Sequence, residues 1–113
     1  MRRHALQVMS AYYALTGVWP ILHMRSFEAI TGPKQDRWLV KMVGALALTN
    51  GVVLAIGARR ERIAAETIAL AVCSALAFSA VDVVYAMRGR IRPVYLGDAA
   101  AELALAATIV AGE

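Results

Sequence analysis

Four long apolar runs occupy most of this chain and leave few ways for it to fold. The runs cover residues 5–24, 38–57, 63–87 and 93–112. A helix needs about 20 apolar residues to cross about 30 Å of hydrocarbon, and each run meets that length. We therefore predict an all-α integral membrane protein, a four-transmembrane-helix bundle with short loops that forms a single transmembrane domain over residues 1–113.

The segments between the runs carry turn-forming and basic residues. Gly and Pro occur with Lys or Arg in segments 32–34 and 89–93, and Gly57 precedes two arginines. Such residues end helices and keep charge at the membrane edge. The longest connection, residues 25–37, mixes Phe27 and Ile30 with charged residues. It predicts a short interfacial helical piece between the first and second helices.

The composition excludes several other classes of protein. Of the 113 residues, 60% are hydrophobic and 18% are charged, whereas soluble domains carry about 45–50% apolar and about 25% charged residues. Disorder and an ordinary soluble globule are therefore excluded, and Cys73, the single cysteine, cannot form an intrachain disulfide. The net charge of +4 comes from basic residues at the ends of the apolar runs. It favours a lipid bilayer over nucleic acid as the partner, and we expect the bacterial cytoplasmic membrane.

The distribution of basic residues leaves the orientation open. Four spans place five Lys and Arg residues on the side of the N-terminus and seven on the other side. Orientation follows a clear difference between the sides, which is missing here. Either another signal fixes the topology, or identical chains insert both ways and pair antiparallel. The length, four spans and weak bias are similar to those of the small multidrug-resistance transporters, but the first helix lacks their membrane-embedded Glu, and no family is assigned.

Three acidic residues inside the last two runs are the strongest site candidates. Asp82 and Asp98 lie eight residues on either side of the loop centre near residue 90, and Glu102 follows Asp98 by four positions. Matching depth and helical spacing bring the three to one hairpin, with Arg88 at its mouth. Charged groups within a span are costly and usually functional. Carboxylates so placed cannot all ionise cheaply, so we expect one coupled acidic site, with a structural ion network as the alternative.

Other candidates lie near the same membrane edge. Trp19, Tyr85 and Tyr95 favour an aromatic-walled pocket, with an interfacial aromatic belt as the alternative. His23 stands at the end of the first run, where capping a helix is the simpler role. Asn50 lies within the second run and favours an interhelical hydrogen bond over a ligand contact by about two to one. The sequence carries no metal-binding motif, so we expect no metal and no cofactor.

Small residues recur every four positions in three of the runs and favour close helix packing. The last run places such a stripe, residues 100, 104, 108 and 112, roughly opposite Asp98 and Glu102. Both faces of this helix then need protein contact, which predicts a homodimer.

Three function classes fit these features. The first is a small proton- or cation-linked transporter or channel that uses the carboxylates, and we favour it slightly. The second is a membrane-embedded enzyme or binding protein for a lipid or isoprenoid-type substrate, with an acid pair that transfers protons. The third is an accessory subunit of a larger membrane complex. The expected ligand is accordingly small and either cationic or hydrophobic, and whether the chain is an enzyme stays open.

Overall fold

The computed structural model describes residues 2–34 and 36–112, and these residues form five α-helices. The helices are α1 (Arg2–Leu22), α2 (Met24–Thr31), α3 (Arg37–Ala58), α4 (Ala65–Met87) and α5 (Val94–Ala111). Three of them, α3, α4 and α5, are long and apolar enough to cross a membrane. The predicted all-helical fold is therefore confirmed, and the second, third and fourth apolar runs coincide with these three helices to within two residues.

The first apolar run does not form one continuous helix. It ends at Leu22, and α2 begins two residues later at Met24. His23 causes the break, because its ring Nδ1 accepts the backbone N–H of Ser26 at 3.2 Å and so caps the new helix. The indole N–H of Trp19 also donates to the Ser26 hydroxyl, at 2.8 Å, and ties α1 to α2. Capping is the simpler role that the sequence predicts for His23, but the predicted end of the first helix at residue 24 lies two residues beyond the observed end.

The α4 helix ends in a glycine-dependent cap. Gly89 has φ +71°, its N–H donates to the Ala86 carbonyl at 3.1 Å, and the Arg90 N–H donates to the Tyr85 carbonyl at 2.9 Å. These two bonds satisfy carbonyls that the helix end would otherwise leave open. The chain then turns through residues 90–93 into α5, and Pro93 stands immediately before the first helical residue, where a missing N–H costs nothing.

The α1 and α3 helices pack together more closely than any other pair. A Cβ atom on Gly51 would lie 2.7 Å from the Ser10 carbonyl oxygen, and Gly17 and Gly44 face each other in the same way. These glycines let the two backbones approach, which is how helices associate where lipid supplies no hydrophobic drive. Gly17 lies against Gly44 and Ser10 against Gly51, so the two helices run antiparallel.

The α4 and α5 helices form the second hairpin, which is closed by small buried residues. The buried positions of α4 are Ala71, Ala75, Ser79 and Asp82. Those of α5 are Ala99, Glu102, Ala106 and Ile109. Helix α1 forms the first hairpin with α3 and also packs on α5, so it joins the two hairpins. The acidic side chains therefore point into the bundle, toward α1.

Two arginines hold one end of the bundle together. The Arg2 guanidinium donates to the Ile109 carbonyl at 2.7 Å, near the end of α5. Arg3 donates to the carbonyls of Ala58 and of Arg60, the latter at 2.6 Å. Cations near helix C-termini satisfy open carbonyls and complement the helix dipole. The start of α1 is thereby fixed beside the ends of α3 and α5. We call this end of the bundle, marked by Arg2 and Arg3, the arginine end.

The outer surface is apolar along most of its length. Large aliphatic side chains face outward on every long helix, among them Leu15, Leu46, Leu76 and Val110, each at least half exposed. The longest dimension is 42 Å, close to the about 40–45 Å of a bilayer with its headgroups. An apolar exterior around helices whose backbone groups are hydrogen-bonded internally is the arrangement that lipid favours.

Candidate functional site

The structure brings the three predicted acids to one side of α1. Asp82 on α4 and Glu102 on α5 are buried, with 6% and 2% of their surface exposed, and Asp98 is half-buried. Asp98 lies four residues into α5, about 6 Å along the axis, and Glu102 is one turn deeper. The acids thus extend from near the α4–α5 loop toward the middle of the bundle.

Two adjacent tyrosines on α1 bind these acids. The Tyr13 hydroxyl donates to Oε1 of Glu102 at 2.5 Å, and the Tyr12 hydroxyl donates to Oδ1 of Asp98. Hydrogen bonds to a charged acceptor are short and about twice as strong as neutral ones. We call these five residues, Tyr12, Tyr13, Asp82, Asp98 and Glu102, the acid–tyrosine cluster.

The tyrosines are the functional candidates that the sequence reasoning missed. Tyr12 and Tyr13 were not among the predicted site residues, although a buried tyrosine must place its hydroxyl on a partner. Neighbouring tyrosines midway along α1 were the available signal. Tyr13 is fixed further by an edge-on contact with Phe78, whose ring centre is 5.5 Å away.

Asp82 is the unusual member of the cluster. Its Oδ2 atom is buried and receives no hydrogen bond. Asp82 lies about one turn after Ser79, whose hydroxyl donates to the carbonyl of Ala99, the residue that follows Asp98. Asp82 and Asp98 therefore stand on neighbouring parts of α4 and α5. A protonated carboxyl group can donate a hydrogen bond, whereas an ionised one can only accept.

The interior of the bundle is mostly apolar between the acid–tyrosine cluster and the end that carries Arg2 and Arg3. Beyond Glu102, toward the arginine end of the bundle, the hydrophobic core includes Leu6, Met9, Ala71, Ala75, Ala106 and Ile109. The buried Ser10 hydroxyl on this side donates to the Gln7 carbonyl within α1. At the other end of the cluster, the half-buried Asp98 lies nearest the α4–α5 loop.

The remaining predicted residues lie outside the cluster. Asn50 donates from Nδ2 to the Ser74 hydroxyl at 3.0 Å and links α3 to α4. Trp19 and His23 form the junction between α1 and α2 described above. Arg88 and Tyr85 are exposed near the end of α4. None of these five belongs to the hydrogen-bond set of the acids.

Tyr95 takes part in a contact between the segment that follows α2 and the start of α5. The Lys34 ammonium lies over the Tyr95 ring, 4.9 Å from its centre, and also donates to the Thr31 carbonyl at 3.1 Å. Arg92 donates to the Ala29 carbonyl at 3.1 Å. These contacts fasten the end of α2 and the residues just after it to the α4–α5 loop.

Glu28 organises the segment that joins α2 to α3. It accepts the backbone N–H of Lys34 at 2.8 Å and forms an ion pair with Arg37 at 2.9 Å. The Lys34 backbone hydrogen bond, followed by the Arg37 contact, holds the pKa of the Glu28 carboxyl below its ordinary value of 4.5. The carboxylate stays charged, and the segment stays closed, at neutral pH.

A cleft of about 380 Å³ lies between the segment that joins α2 to α3 and the α4–α5 loop. Its walls are residues 31–34 on one side and Ala86 with residues 89–93 on the other. We call it the loop cleft. Over residues 2–34 and 36–112, no three His, Cys, Asp or Glu side chains converge to hold a metal ion.

Comparisons with known proteins give no relative. The chain matches no protein-family model, and no similar curated protein or solved structure was found.

Proposed function

We propose that this chain is a four-span membrane protein whose acid–tyrosine cluster takes up and releases a proton, as in a small proton-linked transporter. The observation that carries the proposal is the buried Oδ2 atom of Asp82, which has no hydrogen-bond partner, on the stretch of α4 that packs beside Asp98 of α5. Such a pair binds one proton and can release it when its surroundings change.

The fourth span in this proposal is α1. It has 21 residues, about 31 Å of helix, which is enough to cross the hydrocarbon. Its polar side chains include Tyr12 and Tyr13, and these contact the acids Asp98 and Glu102 of α5 instead of facing outward. A helix enclosed by its neighbours needs less apolar surface than a lipid-facing one. We place α2 at the membrane interface, where its exposed Ile30 meets the acyl boundary.

The tyrosines supply a proton path within the cluster. Tyr12 and Tyr13 are neighbours in the chain, with ring centres 6.2 Å apart, and they bind Asp98 and Glu102 respectively. A hydroxyl both donates and accepts, so it can pass a proton between acids. Asp98, which is half-buried, is the entry point in this scheme. Transport requires a second conformation that opens the apolar layer toward the arginine end.

The second candidate is a membrane-embedded enzyme or binding protein for a lipid or isoprenoid-type substrate. The closed apolar layer beyond Glu102 favours it, because an enzyme site opens to one side only. Tyrosine and carboxyl groups are suitable general acids and bases for such chemistry.

We propose a homodimer for both candidate functions, the proton-linked transporter and the enzyme or binding protein. Ala100 and Ala104 lie on the outer face of α5, where small side chains allow a second helix to approach. If chains insert in both orientations, the pair is antiparallel. Leucine at position 104 would separate the backbones, so we expect Ala104→Leu to weaken crosslinking between copies.

Proton flux into vesicles tests the proposal. The purified chain is reconstituted around a trapped pH-sensitive dye, and a potassium diffusion potential drives protons inward. We expect flux with the native chain and with Glu66→Gln, which changes an exposed acid of the same α4 helix. Asp82→Asn and Asp98→Asn should each abolish it.

Two other results would reject proton transport. Absence of flux with the native chain, under any gradient, would favour the one-sided enzyme or binding protein. Equal flux in both Asn variants would exclude the acid–tyrosine cluster as the path.

A further inference from the structure

The loop cleft is lined by three basic side chains. Lys34 lies on one wall, and Arg90 and Arg92 lie on the other. Contacts with uncharged groups hold two of them in place: Lys34 on the Tyr95 ring and the Thr31 carbonyl, Arg92 on the Ala29 carbonyl. Ordered cations on facing walls form a binding site for an anion without further rearrangement.

Acidic side chains balance this positive charge only in part: the Glu28 carboxylate accepts the backbone N–H of Lys34 and so lies near that lysine. Glu28, the acid of the neighbouring helix α2, forms its ion pair with Arg37. Over the part of the chain that the structure describes, no ion pair joins the cleft cations to a carboxylate. The first turn of α5 also begins at Val94, directly after the cleft residue Pro93. The positive end of the α5 helix dipole therefore lies at the same place.

Apolar side chains flank the cleft where α4 ends and α5 begins. Met87 is 77% exposed and Val94 is 47% exposed. An anion with attached hydrocarbon would place its charge in the cleft and its chains along these residues. A soluble anion would gain nothing from them.

We propose that the loop cleft binds the phosphate group of an anionic phospholipid headgroup. Arginine forks and the lysine ammonium are the usual phosphate partners in proteins. Loss of one basic residue at a membrane surface weakens binding of an anionic lipid by about five-fold. The proposal rests on the membrane placement given under the proposed function, and it does not depend on the acid–tyrosine cluster.

Lipid titration in a neutral detergent tests this site. The purified chain receives short-chain phosphatidylglycerol, short-chain phosphatidylcholine or inorganic phosphate, and native mass spectrometry measures occupancy. Arg90→Gln is the principal variant, because Arg90 is exposed and its recorded hydrogen bond uses only its backbone N–H. Arg59→Gln, an exposed arginine at the opposite end of the bundle, is the matched control.

We expect phosphatidylglycerol to bind the native chain and Arg59→Gln equally, and Arg90→Gln about five-fold more weakly. The double variant Lys34→Gln/Arg90→Gln should lose about 25-fold, while Arg90→Lys keeps most of the affinity. Phosphatidylcholine should bind weakly and without dependence on these residues. Asp98→Asn should leave phosphatidylglycerol binding unchanged, which separates this site from the proton site.

Two results would overturn the lipid assignment. Equal phosphatidylglycerol binding by the native chain and the double variant would remove the cleft as an anion site. Inorganic phosphate that binds as tightly as phosphatidylglycerol, with the same dependence on Arg90, would make the ligand a soluble phosphate instead of a lipid.

Discussion

At the scale of single residues, the acid–tyrosine cluster is organised by the supply of hydrogen-bond donors. Buried carboxyl oxygens need donors, and Tyr12 and Tyr13 provide one each for Asp98 and Glu102. Asp82 receives none at Oδ2. Leaving a buried acceptor without a partner costs about 1–3 kcal/mol, more if it is charged. A proton on the Asp82–Asp98 pair removes that cost, because it turns one acceptor into a donor.

The Tyr13 hydroxyl offers a direct test of this account. Replacing it in Tyr13→Phe keeps the ring contact with Phe78 but leaves Oε1 of Glu102 without its donor. We expect the free energy of unfolding to fall by about 1–3 kcal/mol, measured by reversible unfolding in mixed micelles. Tyr85→Phe, at an exposed tyrosine, should change it little. Equal stabilities of the two variants would show that the Glu102 bond adds nothing.

Gly89 and Gly97 give opposite expectations for the same substitution. Neither would bring a new Cβ within 4 Å of another group, but Gly89 has φ +71° whereas Gly97 lies within α5. Gly89→Ala should therefore destabilise the chain by about 1–2 kcal/mol, and Gly97→Ala should be neutral or stabilising. Thermal unfolding of both variants measures the difference. A stable Gly89→Ala would contradict the left-handed cap at the end of α4.

At the scale of helices, two hairpins of different character meet along α1. The α1–α3 pair depends on backbone approach at Gly51 and at the facing Gly17 and Gly44. The α4–α5 pair depends on small side chains, and one hydrogen bond, from the Ser79 hydroxyl to the Ala99 carbonyl at 3.5 Å, crosses it near the acids. The close pair fixes α1 so that its tyrosines reach the acids.

Gly51→Ala tests that dependence. Its Cβ would lie 2.7 Å from the Ser10 carbonyl oxygen, so α1 and α3 must separate. Overpacking of this kind costs about 1–3 kcal/mol, and we expect a matching loss of stability together with weaker proton flux. Gly97→Ala serves again as the control. If Gly51→Ala has the same unfolding temperature as the native chain, α1 and α3 do not approach each other as closely as described.

Glu28 makes the segment between α2 and α3 sensitive to acid. Because its pKa is lowered in the folded chain, its contribution to stability is present above 4.5 and is lost as the pH falls through the lower folded value. We expect the protection of the Lys34 amide from hydrogen exchange, relative to an unfolded chain at the same pH, to fall over that acid range. In Glu28→Gln the exchange should be fast already at neutral pH. An amide equally protected in both proteins would contradict the Glu28 contact.

The sequence predicted the helices better than their contacts. Long aliphatic runs locate α3, α4 and α5 because lipid admits few other structures, and the spacing of Asp82, Asp98 and Glu102 predicts their proximity. The break at His23 depends on a side-chain cap, which run length does not reveal. Tyr12 and Tyr13 were missed as partners of the acids because pairing between α1 and α5 depends on long-range packing.

At the scale of the whole molecule, the interior is divided along the bundle axis. The acids, tyrosines and loop cleft occupy the end near the α4–α5 loop, and an apolar layer that includes Leu6, Met9 and Ile109 separates them from the arginine end. Within the cluster, the half-buried Asp98 lies nearest the loop end. Both ends are basic, so the charge distribution does not select which end faces the cytoplasm.

Cysteine labelling establishes the number of spans. Single cysteines at positions 34, 60 and 90, introduced in a Cys73→Ser background, are treated with a membrane-impermeant reagent. Four spans predict that 34 and 90 react from one side and 60 from the other. Reaction of every site from both sides would indicate dual insertion. Opposite sides for 34 and 90 in one molecule would contradict the four-span arrangement.

The most direct test of the central claim is an infrared measurement of protonated carboxyl groups at neutral pH. The account predicts a carbonyl stretching band of a carboxylic acid in the native chain and in Glu66→Gln. The band should disappear in Asp82→Asn, whose amide can donate to Asp98 and replace the shared proton without disturbing the fold. A native spectrum without this band, or a band that persists in both Asp82→Asn and Asp98→Asn, would contradict a proton held between Asp82 and Asp98.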